Sequence, residues 1–270
     1  MIEESKYLYK YRNFLHSGDK DHTRLLIRNE LFFPSPDKFN DPFDSNIPFR
    51  YENFTHDEFI SYWVAFLKED KPEMPEEEIT QFVENLYKQS CTDVGKERIK
   101  KHQESTLKEL RSKKVGVFSL SANYNNILSW GHYSDSHRGF CVGFNKEKLT
   151  SFCNCDESLD LGKVEYVREY PAINPYKTTL EEKLTKLLWT KSIDWKYEEE
   201  YRIIWYDGVK KTLQIENGII EKVILGCQID LSNIEKIKAV LKTRPDNISL
   251  LKAVTQENNF GLDFEKILYK

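Results

Sequence analysis

Hydrophobic and polar positions change period several times along the chain, and the changes mark its elements. Lys6 to Arg12 alternates, with Tyr7, Tyr9 and Tyr11 on one face and Leu8, Lys10 and Arg12 on the other, which predicts a first strand. Asp21 to Glu30 reads as a short helix anchored by Leu25 and Leu26, followed by a short strand at 31–33. From Thr55 the period becomes helical. Thr55 and Glu58 form a capping box, and Phe59, Tyr62, Trp63, Phe66 and Leu67 make one apolar face. Pro72 and Pro75 break that helix, and Ile79, Phe82, Val83, Leu86 and Tyr87 give the next one its face. The pattern then thins to Ile99, Leu107 and Leu110 among charges, a mostly solvated helix.

Alternation returns at Val115 to Ser121, where Val117, Ser119 and Ser121 share a face opposite Phe118 and Leu120. Ile127 to Tyr133 predicts a short helix and Phe140 to Phe144 another strand. A strand at 163–168, a helix capped by Thr178 and Glu181, and a strand at 201–206 follow. Asn217-Gly218 predicts a tight hairpin between 212–215 and 219–225. A helix capped by Ser232 and strands at 248–254 and 262–268 complete the chain. These elements predict an α+β fold, a split and mainly antiparallel sheet with flanking helices. The expected organisation is a single domain over 1–270, with 55–114 a helical insertion.

Composition sharpens this picture in three respects. Aromatic residues make up 13% of the 270 positions, so the core and any pocket should be built from rings. The net charge of −4 argues against a broad nucleic-acid-binding surface and leaves room for a local basic groove. The five cysteines lack C-x-x-C spacing, so no metal site is expected and the thiols suit a reducing cytoplasm. The N-terminal stretch has no apolar leader-like run, and no membrane span is expected.

Candidate chemistry concentrates in Val117 to Phe144, which holds Trp130, His132, Tyr133, Asp135, His137 and Arg138. A second candidate is the loop Ser35 to Asp44, where two proline turns hold Asn40, Asp41 and Asp44, with Phe39 and Phe43 as clamps to the core. A third is the acidic run Glu198-Glu199-Glu200, in which Glu198 and Glu200 share a face in extended chain. Its alternative reading is a solvated face answered by Lys196 and Arg202.

The phrases LYKYR (8–12), LFFPSPDKFNDPFD (31–44), FSLSANYNNILSWGHYSDSHRGFCVGF (118–144), KSIDWKYEEEYRII (191–204) and KVILG (222–226) together resemble the bacterial domain-of-unknown-function family numbered 2971. More distantly, the motif order is similar to that of ADP-ribosyltransferase-like enzymes, which run Arg, then Ser-x-Ser, then Glu-x-Glu. That resemblance implies NAD as substrate. Arg12 would bind its pyrophosphate, Ser119 and Ser121 would line the floor, and Asn40, Asp41, Trp130 and Tyr133 would shape the pocket. Glu198 and Glu200 would stabilise the charge that develops on the ribose. The acceptor, protein or nucleic acid, is left open. Two other readings stand beside it. One is a hydrolase or nuclease using His132 or His137 with Asp41, Asp44, Asp135 or Glu200. The other is a non-catalytic module for a nucleotide or a partner.

Overall fold

The computed structural model describes residues 5–14 and 22–269. Its strands are β1 (Tyr7–Arg12), β2 (Glu30–Phe32), β3 (Val115–Ser121), β4 (Phe140–Asn145), β5 (Leu159–Lys163), β6 (Glu165–Val167), β7 (Thr190–Ser192), β8 (Glu200–Tyr206), β9 (Thr212–Gln214), β10 (Ile220–Leu225), β11 (Ser249–Thr255) and β12 (Leu262–Lys266). Its α-helices are α1 (Arg24–Arg28), α2 (His56–Asp70), α3 (Glu76–Ser90), α4 (Asp93–Glu109), α5 (Ile127–Tyr133), α6 (Lys146–Cys153), α7 (Leu180–Trp189) and α8 (Leu231–Thr243). The chain is α+β and folds as two compact units. The first comprises Met1–Ser35, Val115–Tyr166 and Ile193–Lys270; the second comprises Pro36–Lys114 and Val167–Ser192.

The first unit is built on an eight-stranded sheet in the order β12-β11-β10-β4-β1-β3-β8-β5. Every neighbouring pair is antiparallel except β10 and β11. Pairing is continuous from β12 to β1 and again from β3 to β5. The two halves meet at one paired position, Tyr9 opposite Ser121. By contrast, β1 pairs with β4 over six positions and β3 with β8 over seven. The sheet is therefore split between β1 and β3, and the split is what positions the candidate site.

Both faces of the sheet are covered. On one, Leu8, Phe118, Leu120, Phe140, Val142 and Phe144 pack against Leu25 and Leu26 of α1, Leu149 of α6, and Ile234, Ile237 and Leu241 of α8. On the other, Tyr9, Tyr11, Cys141 and Ile224 pack around Trp130 of α5. Each fully buried large apolar side chain contributes about 1.5–3 kcal/mol relative to exposure.

Several expectations shift. The hairpin around Asn217-Gly218 does not form. β9 instead pairs with β2, while β10 takes β4 on one edge and β11 on the other. Val223, Ile224 and Leu225 are all buried, so β10 suits the sheet interior better than a two-stranded ribbon. The expected 163–168 strand divides into β5, which joins the sheet edge through β8, and the short β6. The N-cap of α8 is Asp230 rather than Ser232. Of the first predicted helix, α1 is what forms; its expected first position, Asp21, lies outside the described residues.

In the second unit, α2 begins at the expected capping box of Thr55 and Glu58. Phe59, Leu67, Ile79 and Val83 form the core between α2 and α3. Thr92 caps α4 by accepting from the Gly95 N–H. The cap of α7 is one residue later than expected: Thr179 accepts from the Glu182 N–H at 3.1 Å, and Glu182 returns the bond to the Thr179 N–H at 2.8 Å. Thr179→Ala should therefore cost about 1 kcal/mol in urea denaturation, whereas Thr178→Ala should lose only its bond to the Asn174 carbonyl. Equal effects of the two variants would place the cap wrongly.

Among the described residues, no helix is long and apolar enough to cross a membrane.

Candidate functional site

Several of the predicted residues of the first unit lie on the strands that border the split between β1 and β3, on opposite faces of the sheet. Ser119 lies opposite Arg202 and Ser121 opposite Glu200 in the β3–β8 ladder, so these four leave the sheet on the face that Tyr9 and Tyr11 share. Lys10 and Arg12 alternate to the other face. Arg12 stands over the Phe118 ring at 5.6 Å, and Lys10 over the same ring at 4.7 Å. Arg12 is thus not placed beside Glu200. The register sets it on the opposite face and three residues further along β1.

Lys10, absent from the sequence-level site, occupies the split itself. Where the β1–β3 ladder is interrupted, the Ser119 carbonyl accepts the Lys10 ammonium at 2.5 Å. Burial pulls the Lys10 pKa well below its ordinary value, and the neighbouring Arg12 adds to this; Glu200 and Glu198 pull it back up. Burial also lowers the Arg12 guanidinium, to about 10, which leaves it charged at neutral pH. Neither cation has a carboxylate in ion-pair contact among the described residues. The signal in the sequence was the alternation that puts Lys10 on the same face as the buried Leu8.

The acidic run is divided by its backbone. Glu199 has a left-handed φ of 45° and projects to solvent, where it accepts from the Asn123 amide. Glu198 and Glu200 turn inward. Glu198 accepts from the Tyr133 hydroxyl at 2.5 Å. The Ser121 hydroxyl donates to the Glu198 backbone carbonyl at 2.6 Å and accepts from the Asn123 N–H at 3.0 Å. Ser121 therefore fastens the acidic turn to β3. Glu200 is 3% exposed and takes a two-point grip from Arg202, which is wholly buried, at 2.9 and 3.0 Å. Its own N–H donates to the Tyr166 hydroxyl. Arg202 answers the acidic run as the charge pattern suggested, but inside the protein.

Within the aromatic block, Trp130 and Tyr133 have different surroundings. Trp130 is fully buried, donates its indole N–H to the Tyr124 carbonyl and meets Tyr11 edge-on at 5.2 Å. It is a core side chain rather than part of a rim. Tyr133, half-buried, is the member that reaches the acids. His132 is exposed, and its one described contact is the Tyr133 ring. His137 stacks on Trp130 at 6.3 Å, with its Nδ1 buried and without a hydrogen-bond partner among the described residues; burial lowers its pKa. Asp135 is exposed and pairs with Arg138 at 3.1 Å, an ion pair that holds its carboxyl below the usual range.

Asn40 and Asp41 belong to the second unit. Asn40 is exposed. Asp41 is buried, and its carboxylate accepts from the Phe43 N–H at 2.9 Å, closing its own turn. Asp44 is buried against Lys191 at 3.6 Å. The loop is tied down by Arg111, which donates to the Asn46 side chain and the Pro36 carbonyl. Phe43, expected as a clamp to the core, is mostly exposed and meets the Tyr170 ring instead.

The first unit thus offers two cations and an aromatic ring at the split, a hydroxyl-lined strand beside it, and one carboxylate, Glu198, held by a tyrosine. Residues 129–203 match the family described as "Protein of unknown function (DUF2971)", a stretch that contains most of α5 and His132, Tyr133, Glu198, Glu200 and Arg202. No curated protein matches the chain, and no solved structure matches it.

Proposed function

We propose that this chain, which is similar to the DUF2971 family over residues 129–203, is an ADP-ribosyltransferase-like protein that takes NAD along the split between β1 and β3. The observation that carries this reading is the pair Lys10 and Arg12. Both cations are half-buried over Phe118, and no carboxylate neutralises either in an ion pair among the described residues. Two such cations suit a pyrophosphate, whose oxygens accept charge-assisted hydrogen bonds. The ring beneath them adds a flat apolar surface. Supporting this, the Arg and Ser-x-Ser segments lie on the neighbouring strands β1 and β3, and the Glu-x-Glu segment leads into the next strand, β8, which begins at Glu200.

In this reading Glu198 is the working acid. Loss of nicotinamide leaves positive charge on the ribose, and a carboxylate positioned beforehand stabilises it. Tyr133 fixes the orientation of Glu198. Glu200 is committed to Arg202 and acts as the anchor of the strand that carries the turn.

The test is titration with NAD combined with assay of nicotinamide release. Lys10→Ala and Arg12→Ala should each weaken binding about 10- to 100-fold, the loss of one charge-assisted bond. Glu198→Gln should leave binding within a few-fold and lower turnover about 100- to 1,000-fold. If NAD neither binds nor loses nicotinamide, the proposal fails. A second reading, a nucleotide-binding module without chemistry, is favoured by the fact that both inward acids already have partners. Binding without nicotinamide release, equal in wild type and Glu198→Gln, would select it.

A further inference from the structure

The second unit holds a cavity of about 720 Å³ between α2, α3 and α4, none of whose lining residues belongs to the candidate site of the first unit. Its walls are rings. Phe59, Tyr62, Trp63 and Phe66 recur along one face of α2, and Tyr51 and Tyr176 close the side. Tyr176 meets Tyr51 edge-on at 5.8 Å and 89° and Tyr62 at 5.2 Å and 87°, while Phe59 lies tilted against it at 41°. Such packing holds the rings against one another as a rigid apolar wall. α4 contributes the polar side. Val94, Arg98 and His102 succeed one another at four-residue spacing, one stripe of that helix.

Three features distinguish this cavity from a packing gap. Its volume lies within the usual range for small-molecule sites, about 300–1,000 Å³. Phe66 is 48% exposed and Val94 is 64% exposed, so apolar surface stands open to solvent at its mouth. In a chain with 44 acidic residues, no Asp or Glu lines it, and Arg98 has no acidic partner among the described residues. An apolar, ring-walled space with an uncommitted guanidinium at one side is complementary to a flat molecule that carries negative charge at one end.

We propose that this cavity binds a planar aromatic anion, its ring among Tyr51, Tyr62, Trp63 and Tyr176 and its carboxylate or phosphate on Arg98. This site is independent of the NAD reading of the first unit, and its occupant need not be a substrate.

The experiment is calorimetric titration of the full chain with four probes: indole-3-carboxylate, adenosine monophosphate, and their uncharged counterparts indole and adenosine. One of the two anions should bind saturably, at least tenfold tighter than its uncharged counterpart; which one does so distinguishes carboxylate from phosphate. Arg98→Ala, an exposed change that should leave folding intact, should abolish that tenfold preference. Val94→Trp, which fills the mouth without touching the charge, should block anion and neutral probe alike. Because Lys10 and Arg12 lie in the first unit, Lys10→Ala should leave this binding unchanged even if NAD binding is lost. Absence of saturable binding by either anion at millimolar concentration overturns the proposal. So does binding that survives both Arg98→Ala and Val94→Trp.

Discussion

Arg202→Ala is expected to destabilise the first unit by about 3–5 kcal/mol, one of the two largest effects of a single substitution predicted here. The side chain is wholly buried, and it grips Glu200 through Nε and a terminal nitrogen at 2.9 and 3.0 Å. Removing it leaves a carboxylate inside the protein without the charge that made its burial tolerable. Water cannot replace the guanidinium without opening the sheet, since β8 is an interior strand with β3 on one side and β5 on the other. The control is the double variant Glu200→Gln with Arg202→Met. Removing both charges should recover most of the loss, because a buried ion pair adds little over a well-packed neutral pair. Urea denaturation of the wild type, both single variants and the double variant gives the coupling between the two residues. A loss under about 1 kcal/mol for Arg202→Ala would mean that the pair does not hold Glu200 in place.

The same pair shows where the sequence could and could not be read. Charge pattern alone offered Arg202 as a counter-ion for the acidic run, and that assignment needed only local information. The depth of the pair needed the whole sheet. Alternation within β1 and within β3 was likewise legible. What alternation cannot give is the register between strands far apart in sequence. Tyr9 pairs with Ser121, and that one match puts Arg12 on the opposite face from Ser119, Ser121 and Glu200. A slip of one residue would have put all four together.

Capping chemistry located the start of α2, since a cap is a contact between residues three apart, but it missed the start of α8 by two residues and that of α7 by one. At α7, two adjacent threonines, Thr178 and Thr179, offered two caps, and only backbone geometry chose between them. Asn217-Gly218 signalled a turn correctly, with Gly218 at a φ of 83°. The error lay in pairing its flanks with each other, because the apolar run at 220–225 had better partners elsewhere. Trp130 failed for a related reason: a short amphipathic helix announces its aromatic residues but not which of them the sheet will cover. Alternation alone does not mark Lys10, because a lysine on a strand is usually a solvated edge, whereas here the interrupted ladder supplies a carbonyl to receive it.

The second large effect concerns the turn after α5. Asp135, Ser136 and His137 all have left-handed φ, at 51°, 52° and 67°. Each side-chain-bearing residue in that region costs about 1–3 kcal/mol and persists only where its surroundings enforce it. The enforcing contacts are visible. The turn's N–H groups donate back to Gly131, Trp130 and Ser134, and the His137 carbonyl accepts from Gln228. Gly226 makes this docking possible: a Cβ there would lie 2.0 Å from the His137 carbonyl oxygen and 2.7 Å from its carbon. Those are backbone atoms of a turn that is already strained, so they cannot yield as a flexible side chain would. Gly226→Ala should therefore cost at least about 3 kcal/mol, beyond the ordinary overpacking range, or prevent folding.

Gly131→Ala supplies the contrast. Gly131 lies in α5 one residue after Trp130, and a Cβ there meets nothing within 4 Å. Alanine at that position should stabilise the chain by about 0.5–1 kcal/mol through reduced chain entropy. Thermal unfolding of both variants beside the wild type decides the matter: opposite shifts in Tm are expected from the same chemical change. If Gly226→Ala melts within 2 °C of the wild type, the turn is free to move away and its strain is not held by β10. Gly139 extends the argument to the proposed ligand. A Cβ on Gly139 would lie 2.1 Å from the Arg12 carbonyl oxygen, at the end of β1 where the proposed pyrophosphate site lies. The strained turn and Arg12 are thus packed through a glycine that leaves no slack between them, so Gly139→Ala should disturb NAD affinity together with stability.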